Sequence, residues 1–238
     1  MRLDLYSYQQ RLIGWALLPL ALALTAGAAA FMYVSFSQQS AAAQRRVNAM
    51  AAEVDANLSR HIQGLKTLAA GAVTPAANWT LAELHAAAVA YERAHGFAVL
   101  LADQHRRILL SSARPLGHPL PDVPRPDGPS AFEAALTLGE PQVGNVVPGP
   151  VAGRSVVPII MPARELPGLK AWITSLPTDL WQRRLNKEQI PAGWNVVLLD
   201  GNGRIIASHG TDVEEAIKPS ARGWRFTASG TLTPWTSV

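Results

Sequence analysis

One pattern occurs twice in this chain. Residues 96–112 read GFAVLLADQHRRILLSS and residues 193–209 read GWNVVLLDGNGRIIASH, an ungapped offset of 97. Gly96 falls on Gly193, Phe97 on Trp194, Asp103 on Asp200, Arg107 on Arg204 and Ile108 on Ile205. Each copy is an apolar run of strand character, a polar turn opening at Asp, and a second β-rich run, which is the signature of a hairpin. A hairpin repeated at this distance implies two similar modules in series. The repeated aspartates are read as turn formers, because an Asp side chain at the mouth of a hairpin turn accepts hydrogen bonds from the amides of that turn. Gly201-Asn202-Gly203 is read as the turn itself rather than a phosphate loop, since no strand-to-helix context or following Lys-Ser/Thr accompanies it.

Ahead of the repeat, Leu12 to Phe36 carries no charge over 25 residues. A bilayer core of ~30 Å is spanned by about 20 helical residues, so the stretch is long enough to cross. Trp15 and Tyr33 stand near its ends, where interfacial anchors belong. A cleaved signal peptide is the rival reading, with Ala28–Ala30 or Ala41–Ala43 as the processing site, but the run exceeds the usual ~7–15-residue apolar core. Arg2 and Arg11 precede the span and Arg45 and Arg46 follow it. Arg11 abuts the apolar run, which favours an N-terminus inside and the remainder outside the cytoplasm.

Beyond the span, Val47, Met50, Val54, Leu58, Ile62, Leu65, Leu68 and Ala72 recur at steps of three and four, one face of a helix that Gly71 and Pro75 stop. This stripe packs on the module that follows, pairs with a second copy across a dimer, or does both along different stretches. Thr80 and Glu83 form a capping-box pattern for a second helix that ends at Gly96. A Pro- and Gly-rich ordered loop over 114–130 leads to a short helix capped by Ser130. Two or three strands follow over 142–176, then a short helix from Leu180 to Ile190, the second hairpin, a short helix over Asp212–Ile217 and a strand at Gly223–Phe226. The fold class is α+β: an N-terminal transmembrane helix and a long stalk helix, then tandem antiparallel-sheet modules, the second one truncated. The expected organisation is a cytoplasmic N-terminus (1–11), a transmembrane helix (12–36), a stalk helix (37–72), a membrane-distal module (73–190) and a partial membrane-proximal module (191–238).

The order of membrane helix, stalk, the stretch Gly139–Gly149 and Gly153–Pro162 (GEPQVGNVVPG and GRSVVPIIMP), the hairpin Gly193–Ser208 and the terminal Pro234-Trp235-Thr236 resembles the double-Cache sensors of bacterial receptors. These are PAS-like extracytoplasmic domains, and the likeness is greatest to sensor histidine kinases of the HWE class and their hybrid relatives. The resemblance implies a sensing region in the bacterial inner membrane, its modules in the periplasm or extracellular space. The output, absent from these residues, is expected to be a histidine kinase, with a diguanylate cyclase or a chemoreceptor as alternatives. A stand-alone anchored binding protein is a further alternative.

The chemistry-bearing residues support no enzyme reading. With no cysteine in the chain, disulfides, thiolate metal sites and a cysteine nucleophile are excluded. The six histidines show no metal spacing, and Gly153-Arg154-Ser155-Val156 is no nucleophile elbow. His61 lacks the acidic neighbour and Asn-Pro context of a kinase phosphoacceptor. Neither catalytic residues nor a cofactor are expected. The net charge of +4 is spread over scattered doublets such as Arg106-Arg107, which are read as solvated faces rather than a nucleic-acid footprint. A ligand site remains. Tyr91 and Trp172 are expected to stack on a small molecule, and Arg114 or Arg154 to hold a carboxylate or amino acid as a bidentate fork. The expected partners are therefore that ligand, the inner membrane and a second copy meeting through residues 44–70.

Overall fold

The computed structural model describes residues 3–71, 79–126, 128, 130–163, 166, 171–188, 190, 194–210, 228–229 and 236–237. Side chains are described from Ala21 onward except at 36, 39, 40 and in the last four strand residues. The chain falls into two compact units, Met1–Arg46 and Val47–Val238.

The first helix, α1 (Leu3–Gly71), is continuous and includes the whole uncharged stretch expected to span a membrane. Among the described residues, no helix is long and apolar enough to cross a membrane. The side chains of residues 12–20, the first part of the expected span, lie outside the described residues. From Leu22 to Val34 the large apolar side chains are exposed: Leu22, Leu24, Phe31, Met32, Tyr33 and Val34.

Within the second unit the stalk stripe is used by its own module. Leu58, Ile62 and Leu65 are buried in the main core, with Val54 and Leu68 packed against it. Helix α2 (Leu81–His95) follows, opened by the capping box that the Thr80/Glu83 spacing predicts: the Thr80 hydroxyl accepts from Glu83 N, and the Glu83 carboxylate accepts from Thr80 N. Gly96 ends it at φ 78°, a left-handed conformation that glycine adopts without Cβ strain. Strands β1 (Val99–Ala102) and β2 (Ile108–Ser111) form the first predicted hairpin. After α3 (Ala131–Leu138), the 142–177 region supplies four strands where two or three are expected from the sequence: β3 (Gln142–Val143), β4 (Val147–Gly149), β5 (Arg154–Pro162) and β6 (Ala171–Pro177). The extra count arises because β3 and β4 pair successively along one edge of β5, at Ile159–Ile160 and at Arg154–Val156.

The six-stranded antiparallel sheet runs β2-β1-β6-β5-β3, with β4 also on β5. Alternation at period two sorts its side chains onto two faces. Val99, Leu101, Val157, Ile159, Met161, Trp172 and Leu176 face α1 and α2 in the main core. Leu100, Ala102, Ile160, Ala171 and Ile173 face the other way, toward Phe132 and Ala135 of α3 and toward Leu120 and Val123 of the Pro-rich loop. Both faces are therefore covered, and β1 is buried at every position.

Helix α4 (Thr178–Leu185) leaves β6 directly and is shorter than the Leu180–Ile190 expectation at its C-terminal end. It carries the chain to the second predicted hairpin, β7 (Val196–Leu199) and β8 (Ile205–His209). The Gln182 side chain of α4 pairs with β8 as a backbone would: its Nε2 donates to Ser208 O at 2.7 Å and its Oε1 accepts from Ser208 N at 3.0 Å. Two short strands, β9 (Ala228–Ser229) and β10 (Thr236–Ser237), complete a four-stranded sheet in the order β8-β7-β10-β9. The expected helix at 212–217 and strand at 223–226 lie outside the described residues.

Candidate ligand cleft

The sheet face turned away from α1 and α2 carries a cleft partly open to solvent. Its floor is β1, β2, β5 and β6, through residues such as Leu100, Ile108, Ile160 and Ile173. Its cover is the Pro-rich loop (Val123, Pro124, Pro126) and the start of α3 (Ser130, Phe132). Gly144, Asn145 and Val147 close one side. Small groups leave the space open: Ser175 stands on the central strand β6 where a larger side chain would fill it.

One buried cation fastens the cover. Arg106, 6% exposed, donates through Nε and Nη2 to the Glu133 carboxylate at 2.7–2.9 Å. It also donates through Nη1 to Pro124 O at 2.8 Å and through Nη2 to Ser130 Oγ at 2.6 Å. Its guanidinium lies 5.2 Å from the Phe132 ring centroid, and its own carbonyl accepts from Val123 N at 2.8 Å. Arg106 thus ties the β1–β2 turn to the loop and to α3 at once. Ser130, expected as a helix cap, makes no side-chain cap bond and receives Arg106 instead. The Arg106-Arg107 doublet is accordingly only half solvated: Arg107 is exposed beside Asp103, while Arg106 is buried. The sequence carries a signal for this that composition hides. In the hairpin repeat Arg106 stands where the second copy has Gly203, and both have left-handed backbone, φ 68° and 76°. An arginine in a slot the repeat fills with glycine marks a side chain whose contacts offset backbone strain.

The side wall also meets the second hairpin. Asn145 Oδ1 accepts from Gly201 N at 2.9 Å, and Asp200 Oδ2 accepts from Val146 N at 2.9 Å. On the cover side, a Cβ on Gly128 (φ 90°) would come within 3.3 Å of the Asn202 amide. The β7–β8 turn therefore bonds to the wall of the cleft and lies beside its cover.

The four residues singled out in the sequence are distributed otherwise. Tyr91 and Trp172 come together in the main core on the opposite sheet face, 6% and 0% exposed. The Tyr91 hydroxyl donates to His61 O at 3.4 Å, its ring lies 4.2 Å from that of His95, and burial pushes its pKa up to about 12. Arg114 is exposed just after β2, where its carbonyl accepts from His85 Nε2 at 2.9 Å when that ring carries its proton there. Arg154 begins β5 and pairs with Asp179 at 3.3 Å. The two aromatics share a cluster, and the two arginines stand apart from it and from the cleft lining. His61 packs edge-on to Phe97 in the same core, and burial foremost, aided by the charges of His95, Arg60 and Arg184, lowers its pKa to about 4. Among the described residues, no group of three or more His, Cys, Asp or Glu is placed to hold a metal ion.

No family model matches the sequence, and no curated protein is similar to it in sequence. Solved structures are similar in fold. The ligand-binding domain of the Pseudomonas aeruginosa amino-acid chemoreceptor PctC, solved with GABA, superposes with a TM-score of 0.60 at 12% identity, over 82% of this chain and 97% of that one. The ligand-binding domain of the Campylobacter jejuni chemoreceptor Tlp3, solved with L-norvaline, gives 0.54 at 12% identity over 82% and 89%. An extracellular domain described as that of a histidine kinase, rpHK1S-Z16, gives 0.57 at 12% identity over 81% and 76%. The chain shares the fold of these domains. At these identities the likeness is one of architecture.

Proposed function

We propose that this chain is the extracytoplasmic sensing region of a membrane-anchored bacterial receptor and that it binds a small molecule in the cleft between the six-stranded sheet and the Pro-rich loop. The observation that carries the reading is the cleft itself: a space on the sheet whose described walls are apolar side chains with few polar groups, in a fold whose solved examples include domains with amino-acid ligands bound. In this reading residues 73–190 are the ligand-binding module and residues 191–238 belong to a second, membrane-proximal one. A kinase output is favoured by the resemblance to HWE-class sensors. Chemoreceptor domains outnumber the histidine-kinase domain among these structural neighbours.

The anchor is residues 12–36. Supporting it are the unbroken helix through them and the described side chains from Leu22 to Val34, exposed yet apolar. At ~100° per residue these fall on all sides of the helix, and a helix that is apolar all round requires an apolar surrounding. A dimer through α1 would use another face of the helix than the stripe, which is occupied by its own core.

The test is a small-metabolite screen by thermal shift on the full chain in nanodiscs, with Ser175→Phe as the variant that fills the cleft. A compound that raises the Tm of wild type and leaves Ser175→Phe unmoved supports the reading. Arg154→Ala and Tyr91→Ala are measured beside it: if they abolish a response that Ser175→Phe retains, the ligand sits at those residues and the cleft assignment fails.

A further inference from the structure

Among the described residues that line the cleft, none is charged. The walls are aliphatic or aromatic side chains and prolines, and the polar side chains are Ser130, Asn145 and Ser175. Two of these are already committed: Ser130 Oγ accepts from Arg106, and Asn145 Oδ1 accepts from Gly201 N. Among the described side chains, what remains for a ligand is the Ser130 O–H and the Asn145 amide NH2 as donors and the Ser175 hydroxyl as donor or acceptor. The cation next to the cleft, Arg106, has all three guanidinium nitrogens bonded to Glu133, Ser130 and Pro124. Diverting it to a ligand carboxylate would break its bonds to Glu133, Ser130 and Pro124 and release the cover. An α-carboxylate or ammonium entering this space would lose its hydration without a counter-charge among the described lining residues, and a charge is buried only when paired.

From this we infer that the cleft takes an uncharged, largely apolar small molecule bearing one hydroxyl or carbonyl group, such as an alcohol, ketone or lactone, rather than an amino acid or a carboxylate. The apolar body lies on Leu100, Ile160 and Ile173, and the single polar group reaches Asn145 or Ser175. The inference rests on the proposed ligand-binding role of the cleft and adds the chemical class of what it binds.

A series matched in size and differing in charge decides it. 1-Hexanol, 2-hexanone and γ-hexalactone are compared with hexanoate, hexylammonium and norleucine by ligand-observed NMR on the full chain in nanodiscs. The same titrations on Ser175→Phe subtract partition into lipid, and Ser175→Leu is the milder filler should the phenylalanine variant not fold. The expected result is that at least one neutral compound binds tenfold or more tighter than each charged one, with that binding lost in the filled variant. Tighter binding of hexanoate or norleucine, also lost in the filled variant, overturns the neutral class and leaves the sensing role intact. If no member of either set distinguishes wild type from the filled variant, the neutral class and the cleft assignment fall together.

Discussion

The two hairpins begin from nearly the same sequence and end in different jobs. Their turns are built alike. Asp103 accepts from His105 N and Arg107 N, and Asp200 accepts from Asn202 N and Arg204 N, all at 2.8–2.9 Å. Each strand pair shows a register shift at its turn end, at Leu101/Ala102 and at Leu198/Leu199. The differences lie in what each turn reaches. The first sends a side chain outward: Arg106 leaves the turn to hold the loop and α3. The second draws backbone inward: Asp200, 2% exposed, adds Val146 N to its own two amides. The two copies thus share the physics of the turn, while the first reaches outward through Arg106 and the second through the other oxygen of Asp200.

That comparison can be broken most forcibly at the aspartates. Asp200→Ala strands three amides, one of them at Val146 between the cleft-wall residues Asn145 and Val147, and is expected to cost ~3 kcal/mol. Asp103→Ala, whose partners are two amides and an exposed arginine, is expected to cost ~1 kcal/mol. Urea midpoints of the two variants measure this, and equal costs would erase the asymmetry.

Acid sharpens the contrast next. His61 is held neutral, its folded pKa of about 4 lying below the 6.5 of an ordinary histidine. The unfolded chain therefore binds the extra proton, and stability is full above pH 6.5 and falls as pH drops toward 4, by on the order of 2 kcal/mol. Because His61 lies against Phe97 at the entry to the first hairpin, amide exchange is expected to rise over Val99–Ser111 before Val196–His209. A flat pH profile, or simultaneous loss in both hairpins, would contradict this, and His61→Phe is expected to remove the acid sensitivity.

Exchange of the left-handed residues gives smaller effects. Arg106→Ala keeps the strained backbone and loses the clamp, at a cost of ~2 kcal/mol, and Arg106→Gly recovers about 1 kcal/mol of that by relieving φ. Both are expected to speed amide exchange across 114–126. The smallest change is Gly203→Arg, where open space surrounds the new Cβ and only the backbone strain, ~1 kcal/mol, is added. If Arg106→Gly proves more stable than wild type, the clamp contributes less than the strain it offsets.

Much of the architecture was legible in the chain because it is written in local chemistry. Capping at Thr80, the αL stop at Gly96, the stalk stripe and both hairpins follow from residue type and spacing. The candidate site was not, and the reason lies in the central strands. Trp172 and Ile173 are neighbours in sequence and face opposite sides of the sheet. The eye goes to the aromatic, which fills the core, while the cleft lies beneath the aliphatic and the serine two residues on. Whether an aromatic binds or packs depends on which face has a helix on it, and that is settled by α1, more than 100 residues upstream. Arg106 was hidden by its doublet and legible only through its alignment with Gly203.

The side chain of Gln182 has a consequence at the margin of the second sheet. Strand β8 is an end strand, and an end strand offers unpaired amides and carbonyls to any extended segment that passes. By occupying both backbone groups of Ser208 from a helix, Gln182 acts as a one-residue counterfeit strand. An intruding peptide would find its ladder interrupted in the middle of β8, so among the described strands the sheet is open to extension along β9 rather than β8.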